Sequence, residues 1–173
     1  MLCEIQWNSL SVEAWESRFA AIARSNILQS YDYALASAKL NRQRARWGLI
    51  MMDGKEAGLV QILEAGILKN LFHAVILDRG PLWFEGYGGA AHIKLFFDEI
   101  NRQFPVRWGR KRRFLPEVQQ GPAANQILKQ TGLQCANDQV PYQTLWWDLT
   151  LEEDEARNAL RPNWHGSLKK AEK

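Results

Sequence analysis

The sequence predicts a mixed α/β fold, a mostly antiparallel central sheet flanked by helices. Three observations carry this reading. Two β-rich runs are joined by Asp53-Gly54, helical apolar stripes occur both before and after them, and the apolar run ending at Asp78 passes through a Gly-rich loop directly into an amphipathic helix.

Leu2 to Trp7 alternates enough for a first strand. Ser11 caps a helix whose apolar positions Val12, Trp15, Phe19, Ile22 and Ala23 recur at helical spacing, and Asn26 ends it. LQSYDYALASAKLNRQ makes a second helix. Arg46–Met52 and Lys55–Leu63 form a hairpin around Asp53-Gly54, and Ala65-Gly66 breaks the second strand. LKNLFHAVIL then reads as a strand buried on both faces. After the loop, Ala91, Ile93, Phe96, Phe97 and Ile100 form a buried stripe that stops before Pro105. PVRWGRKRRF returns as a strand, NQILKQTGL as a helix closed by Gly132, and YQTLWWDL as an aromatic strand. Thr150 and Glu153 make a capping box, and Pro162 opens a last basic helix.

With 173 residues, 46% of them hydrophobic and 24% charged, the chain has a globular composition. Its longest apolar runs are broken by Lys, Asn and His, so no integral membrane segment is expected. The start lacks the pattern of a secretory signal, which makes the cytoplasm the expected location. Cys3 and Cys135 fit no metal-ligand spacing, and none of His73, His92 and His165 has a partner at metal or triad spacing, so no metal site is expected. The formal charge of +3 is uneven, because VRWGRKRRF holds five cations and no acid.

The chemistry-bearing candidates lie around the Gly-rich loop. Gly86, Gly88 and Gly89 let backbone N–H groups approach a phosphate or carboxylate at a helix N-terminus. Arg79, at the end of the preceding strand, and Arg107, Arg110 and Arg112 of the basic strand are read as converging on one cleft, where guanidinium groups suit a phosphate-bearing acceptor. Glu117, just past the basic strand, is a candidate to take a proton from an acceptor amine. A solvated basic edge, and a carboxylate balancing nearby arginines, are the plain structural alternatives.

NILQSYDYALASAK, LDRGPLW leading into FFDEI, and LWWDLT followed by ALRPNWHGSLKKAEK together resemble the first domain of the FemABX and FemAB-like acyl- and aminoacyltransferases, and the order of elements resembles the GNAT superfold. The resemblance implies a GNAT-like fold, with residues 1–150 as a first GNAT-like domain and 151–173 as a helical segment leading toward a second one absent from this truncated chain. It implies an acceptor-binding half of a transferase that moves an aminoacyl or acyl group onto an amine, in one branch of the family a peptidoglycan precursor. The donor, acyl-CoA or aminoacyl-tRNA, would bind mostly to the other half, so no cofactor is assigned here. Lys39 stands near a position where the family has a phosphate-contacting basic residue. Trp164, Lys169 and Lys170 of the last helix become candidates for contact with tRNA or with the missing domain; nothing points to DNA. The pyrophosphate signature of single-domain GNAT enzymes begins with Arg or Gln, whereas this chain has Trp83 there, and Trp164 is followed by His165 instead of Arg. Two alternatives stand beside this reading: a self-contained acetyl-CoA-dependent N-acetyltransferase, and a GNAT-fold binding module without catalysis.

Overall fold

The computed structural model describes residues 1–118, 122–134 and 150–171. The strands are β1 (Cys3–Trp7), β2 (Arg44–Met52), β3 (Lys55–Ile67), β4 (Phe72–Gly80), β5 (Leu82–Trp83) and β6 (Arg110–Pro116), and they form one sheet in the order β1-β2-β3-β4-β6 with β5 paired to β3. Pairing is antiparallel except between β4 and β6, which are parallel. The mostly antiparallel mixed α/β architecture expected from the sequence is the one found.

Each strand alternates its faces, and the two faces build two cores. Along β2, Leu49 points to a cluster with Trp15, Ile22, Leu59 and Leu82, whereas Ile50 and Met52 point to the other side. The first cluster is covered by α1 (Val12–Ala20), whose N-cap Ser11 accepts from the Ala14 N–H at 3.2 Å. The second is covered by α3 (Ala90–Gln103), which inserts Ile93, Phe96, Phe97 and Ile100, and is flanked by Ile127 and Leu128 of α4 (Pro122–Gln130). Burying each of these phenylalanines contributes about 2 kcal/mol. The Asp53-Gly54 turn forms as expected, with both residues left-handed.

Several expected boundaries move. Helix α1 ends at Ala20, although Ile22 beyond it is buried. The second helix divides into a 3-10 turn, Ile27–Gln29, and α2 (Tyr31–Asn41), because Ser30 takes the extended N-cap conformation and accepts from the Tyr33 N–H. Strand β3 runs through Ala65-Gly66 to Ile67, since its pairing with β4 outweighs the local preference of glycine; the reversal falls at Leu68, Lys69 and Asn70, all left-handed. Strand β4 alternates between buried and half-buried residues and is not buried on both faces. Ala91 is exposed, outside the stripe of α3. The basic strand begins at Arg110, because Gly109 is left-handed. YQTLWWDL lies outside the described residues.

The chain divides into two compact units, Met1–Cys135 and Ala136–Lys173. The second holds α5 (Glu153–Asn158) and α6 (Pro162–Ala171). The capping box expected at Thr150 and Glu153 does not form; Glu152 is the N-cap without a side-chain hydrogen bond, and three acids in the first turn meet the helix dipole instead.

One side chain organises the middle of the sheet. The β3–β4 ladder stops at Leu63 opposite Ile76, and continuing its register two residues further would set Gln61 against Asp78. The buried Gln29 amide occupies that gap: its Nε2 donates to Asp78 O (2.6 Å) and Gln61 O (3.1 Å), and its Oε1 accepts from Gln61 N (2.8 Å). The Gln61 amide, turned with its nitrogen toward the carbonyls of Leu28 (3.1 Å) and Ser30 (3.3 Å), fastens the 3-10 turn from the other side. A Cβ at Gly80 would come within 2.7 Å of Gln29 Oε1, so glycine is required there.

Gln29→Ala should leave one donor and two acceptors of the backbone buried without partners. We expect a loss of roughly 3 kcal/mol in urea unfolding, with an unchanged slope. A loss no larger than that of an ordinary surface substitution would show that the wedge does not hold the strands.

Candidate active site

Strands β4 and β6 are parallel and α3 lies between them in the chain, so this is a strand-helix-strand crossover, and ligands in such units sit beyond the carboxyl ends of the strands. Here that end comprises Asp78–Gly80, Phe114–Glu117, and the turn into α3.

Arg79 occupies a left-handed bulge, φ 57°, where the β4–β6 register shifts between Asp78 and Gly80. The bulge turns its carbonyl toward the 3-10 turn, where Asn26 Nδ2 donates to it at 2.8 Å. Its guanidinium is largely buried and reaches Glu117 Oε2 at 3.4 Å, while Glu117 N donates to Gly80 O at 3.3 Å. The neighbouring Asp78 carboxylate takes both oxygens to Arg113, at 2.8 and 3.0 Å. Two residues singled out in the sequence, Arg79 and Glu117, are thus brought together.

The Gly-rich turn is packed with rings. Gly88, at φ 90°, lies flat against Trp83: a Cβ there would come within 2.8 Å of the indole. The His92 ring sits 6.2 Å from Trp83 and 5.2 Å from Tyr87. Gly86 faces open space, and Gly89 is the N-cap of α3, with no side chain capping the helix and no acid in its first turn. The first N–H groups of α3 and the positive end of its dipole therefore suit an anion.

The basic strand does not join this cleft. Arg110 lies opposite His73, whereas Gly80 lies opposite Pro116, so Arg110 sits roughly 20 Å from Arg79 along the strands. Arg107 donates to the carbonyls of Leu71 (3.0 Å) and Asn70, and Arg112 to Asn101 Oδ1 (2.5 Å) and Phe104 O (3.1 Å). The convergence expected from neighbouring strands fails because parallel strands place like ends together. Lys39 is exposed in the last turn of α2. In the second unit, Trp164, Lys169 and Lys170 are exposed on α6. Among the described residues, no group of three or more His, Cys, Asp or Glu converges as a metal site, and no helix is long and apolar enough to cross a membrane.

A buried polar cluster, unforeseen in the sequence, holds the opposite end. His73 Nδ1 accepts from Arg110 Nε at 3.2 Å, so its proton is on Nε2, 3.2 Å from Glu64 Oε1. Glu64 also meets Arg44 (3.0 Å) and Arg46 (3.6 Å), and Arg46 stacks over Trp7. Both imidazole nitrogens are engaged and the ring is buried, so His73 braces β3, β4 and β6 and offers no free base. Cross-strand pairing supplied the signal: Glu64 and His73 share one register neighbourhood that only the true turn at Leu68–Asn70 reveals.

No protein-family model matches the sequence, and no curated protein does. Among solved structures the chain is similar to a crystal structure of FemX, at 20% identity over 73% of this chain with a TM-score of 0.52. The match covers 31% of the FemX chain, so this chain corresponds to about a third of that protein's length. It is also similar to a ribosomal-protein-alanine N-acetyltransferase from Brucella melitensis biovar Abortus 2308, at 16% identity over 84% of this chain and 100% of that one, TM-score 0.43. The GNAT-like fold expected from the sequence is the fold shared with FemX.

Burial pulls the His73 imidazole below its ordinary range; Glu64 opposes this and Arg110 adds to it. The unfolded chain therefore takes up this proton first as pH falls. Stability from His73 is fully present above about pH 6.5 and declines below it. Tm should be flat above neutrality and fall between about pH 6.5 and 5, before carboxylates titrate, and His73→Gln should remove that slope. A flat wild-type profile through this window would refute the assignment.

Proposed function

We propose that this chain is the acceptor-binding half of a FemAB-like transferase, moving an aminoacyl or acyl group onto the amine of a phosphate-bearing acceptor such as a peptidoglycan precursor. The observation that carries the proposal is the fold shared with FemX over 73% of this chain but only 31% of FemX. A second GNAT-like domain, on the same or a separate chain, would supply most of the donor site, for aminoacyl-tRNA or acyl-CoA. Contact of Trp164, Lys169 and Lys170 with tRNA or with that domain belongs to the same proposal.

The residues at the end of β4 have the chemistry this requires. The first N–H groups of α3 offer donors to phosphate oxygens, and Arg79 adds a guanidinium whose geometry is already fixed. An acceptor amine attacks the activated carbonyl; a C–N bond forms as the carbonyl carbon's bond to the donor's ester oxygen or thioester sulfur breaks. The amine proton passes to the Glu117 carboxylate, which Arg79 orients. Packing of Trp83 against Gly88 supports the view that the turn no longer serves as an acetyl-CoA cradle. The uncapped start of α3 favours the competing reading, a single-domain N-acetyltransferase with acetyl-CoA at that turn.

Calorimetric titration of the full chain separates these readings. A uridine-diphosphate-linked muropeptide should bind, Arg79→Gln should weaken binding about tenfold or more, and no transfer should occur without a second domain. Unchanged affinity in the variant removes Arg79 from the site. Tight acetyl-CoA binding with turnover by this chain alone favours the single-domain enzyme.

A further inference from the structure

At the end of the sheet opposite Arg79, two loops meet and expose large apolar side chains. The β3–β4 turn presents Ile67 and Leu68, and the α3–β6 loop presents Val106 and Trp108; these are 66%, 69%, 78% and 73% exposed. Leu71 and Phe72 extend the surface, with the Phe72 ring 5.3 Å from that of Trp108. Single exposed apolar residues need no explanation, but six on two adjoining loops form a patch that soluble surfaces avoid.

The platform is built and not merely frayed. Arg107 donates to Leu71 O and Asn70 O across the two loops, and His73 N donates to Gly109 O at 2.8 Å. The tip carbonyls of Asn70 and Leu71 are thereby satisfied within the protein, so moving them into a less polar medium leaves neither without a donor.

The two loops and the start of β6 carry charge of one sign, and the nearby Glu64 is buried and paired. Residues 66–72 and 105–112 contain Lys69, Arg107, Arg110, Lys111 and Arg112 and no Asp or Glu. Lys69 and Lys111 are exposed at its edge. Aliphatic side chains at the tip, a tryptophan beside them and a cationic collar behind match the requirements of a bilayer interface carrying anionic headgroups. A nucleic acid fits less well, because Ile67, Leu68 and Val106 offer no flat face on which bases stack and would hold the phosphates away from the cations.

We propose that the Ile67–Phe72 and Val106–Trp108 loops form a peripheral docking surface for an anionic membrane, with the apolar tip entering the headgroup region and Lys69 and Lys111 meeting lipid phosphates. This surface is independent of the acceptor reading of Arg79, which lies at the other end of the strands.

The test is co-sedimentation of the full chain with phosphatidylcholine vesicles made with and without phosphatidylglycerol. Wild type should bind the anionic vesicles, and Lys69→Gln and Lys111→Gln should each weaken partitioning by about fivefold. Leu68→Asn combined with Trp108→Ser should weaken it at least about tenfold, with circular dichroism confirming an unchanged fold, while Arg79→Gln should bind as wild type does. Absence of binding to anionic vesicles overturns the proposal, as does binding that the Leu68 and Trp108 changes leave intact. Loop-dependent retention of tRNA, or loop-dependent self-association, in a chain that ignores vesicles also overturns it.

Discussion

The fold depends on a side-chain amide standing in for a stretch of backbone. Two antiparallel strands that diverge must leave N–H and C=O groups unpaired at the fork, and in a buried sheet each such group costs about 1–3 kcal/mol. Gln29 resolves this by donating from its amide nitrogen to both sides of the fork, at Gln61 O and Asp78 O, and accepting with its oxygen from Gln61 N, where Gln61 and Asp78 would otherwise pair. Asn26 repeats the device one residue further along, at the Arg79 carbonyl. The short Ile27–Gln29 turn is therefore a wedge driven between β3 and β4.

Once β4 is released from β3, its last residues pair only with β6, and β3 takes β5 as its neighbour instead. The fork is what allows Arg79 to occupy a bulge, and the bulge is what brings its guanidinium to Glu117 beyond the end of β6. With Arg79 largely buried but Glu117 partly open to solvent, the ion pair contributes little through its own attraction, and the bulge and the Glu117 N–H bond to Gly80 O hold its geometry. The proposed acceptor site therefore inherits its shape from an amide lodged between the strands beside Asp78 and Gly80, with no direct contact to a ligand required of that amide.

Much of this was legible in the residues, but unevenly. The Asp53-Gly54 hairpin and the stripe of α3 were readable because both are set by local chemistry, left-handed turn residues in one case and 3.6-residue spacing in the other. Ala65-Gly66 misled because a glycine inside a strand looks like a break until its pairing partner is known. The Ser30 cap was hidden inside a run that looked uniformly helical. Arg79 and Glu117 were both visible as candidates, yet their pairing was not, since it rests on the parallel register of strands separated by a whole helix. Gln29 was the least visible: a glutamine near the start of a helical segment reads as surface, and only the fork gives it a reason to be buried.

The parallel crossover also explains why the basic residues and Arg79 part company. In an antiparallel hairpin the end of one strand meets the start of the next, so a cation at each can share a cleft. In a strand-helix-strand unit the segments that lead into the two strands lie together at one end of the sheet, and the segments that leave them lie together at the other. Residues 68–71 and 105–109 lead into β4 and β6, whereas residues 81–83 and 117–118 follow them. The amino-terminal pole of the two strands accordingly gathers the exposed apolar tips and the basic run, locked from beneath by His73 and Glu64. The carboxyl-terminal pole gathers the uncapped helix start and the Arg79–Glu117 pair. The length of α3 separates them, so the residues at one pole can change to suit a partner without disturbing the chemistry proposed for the other.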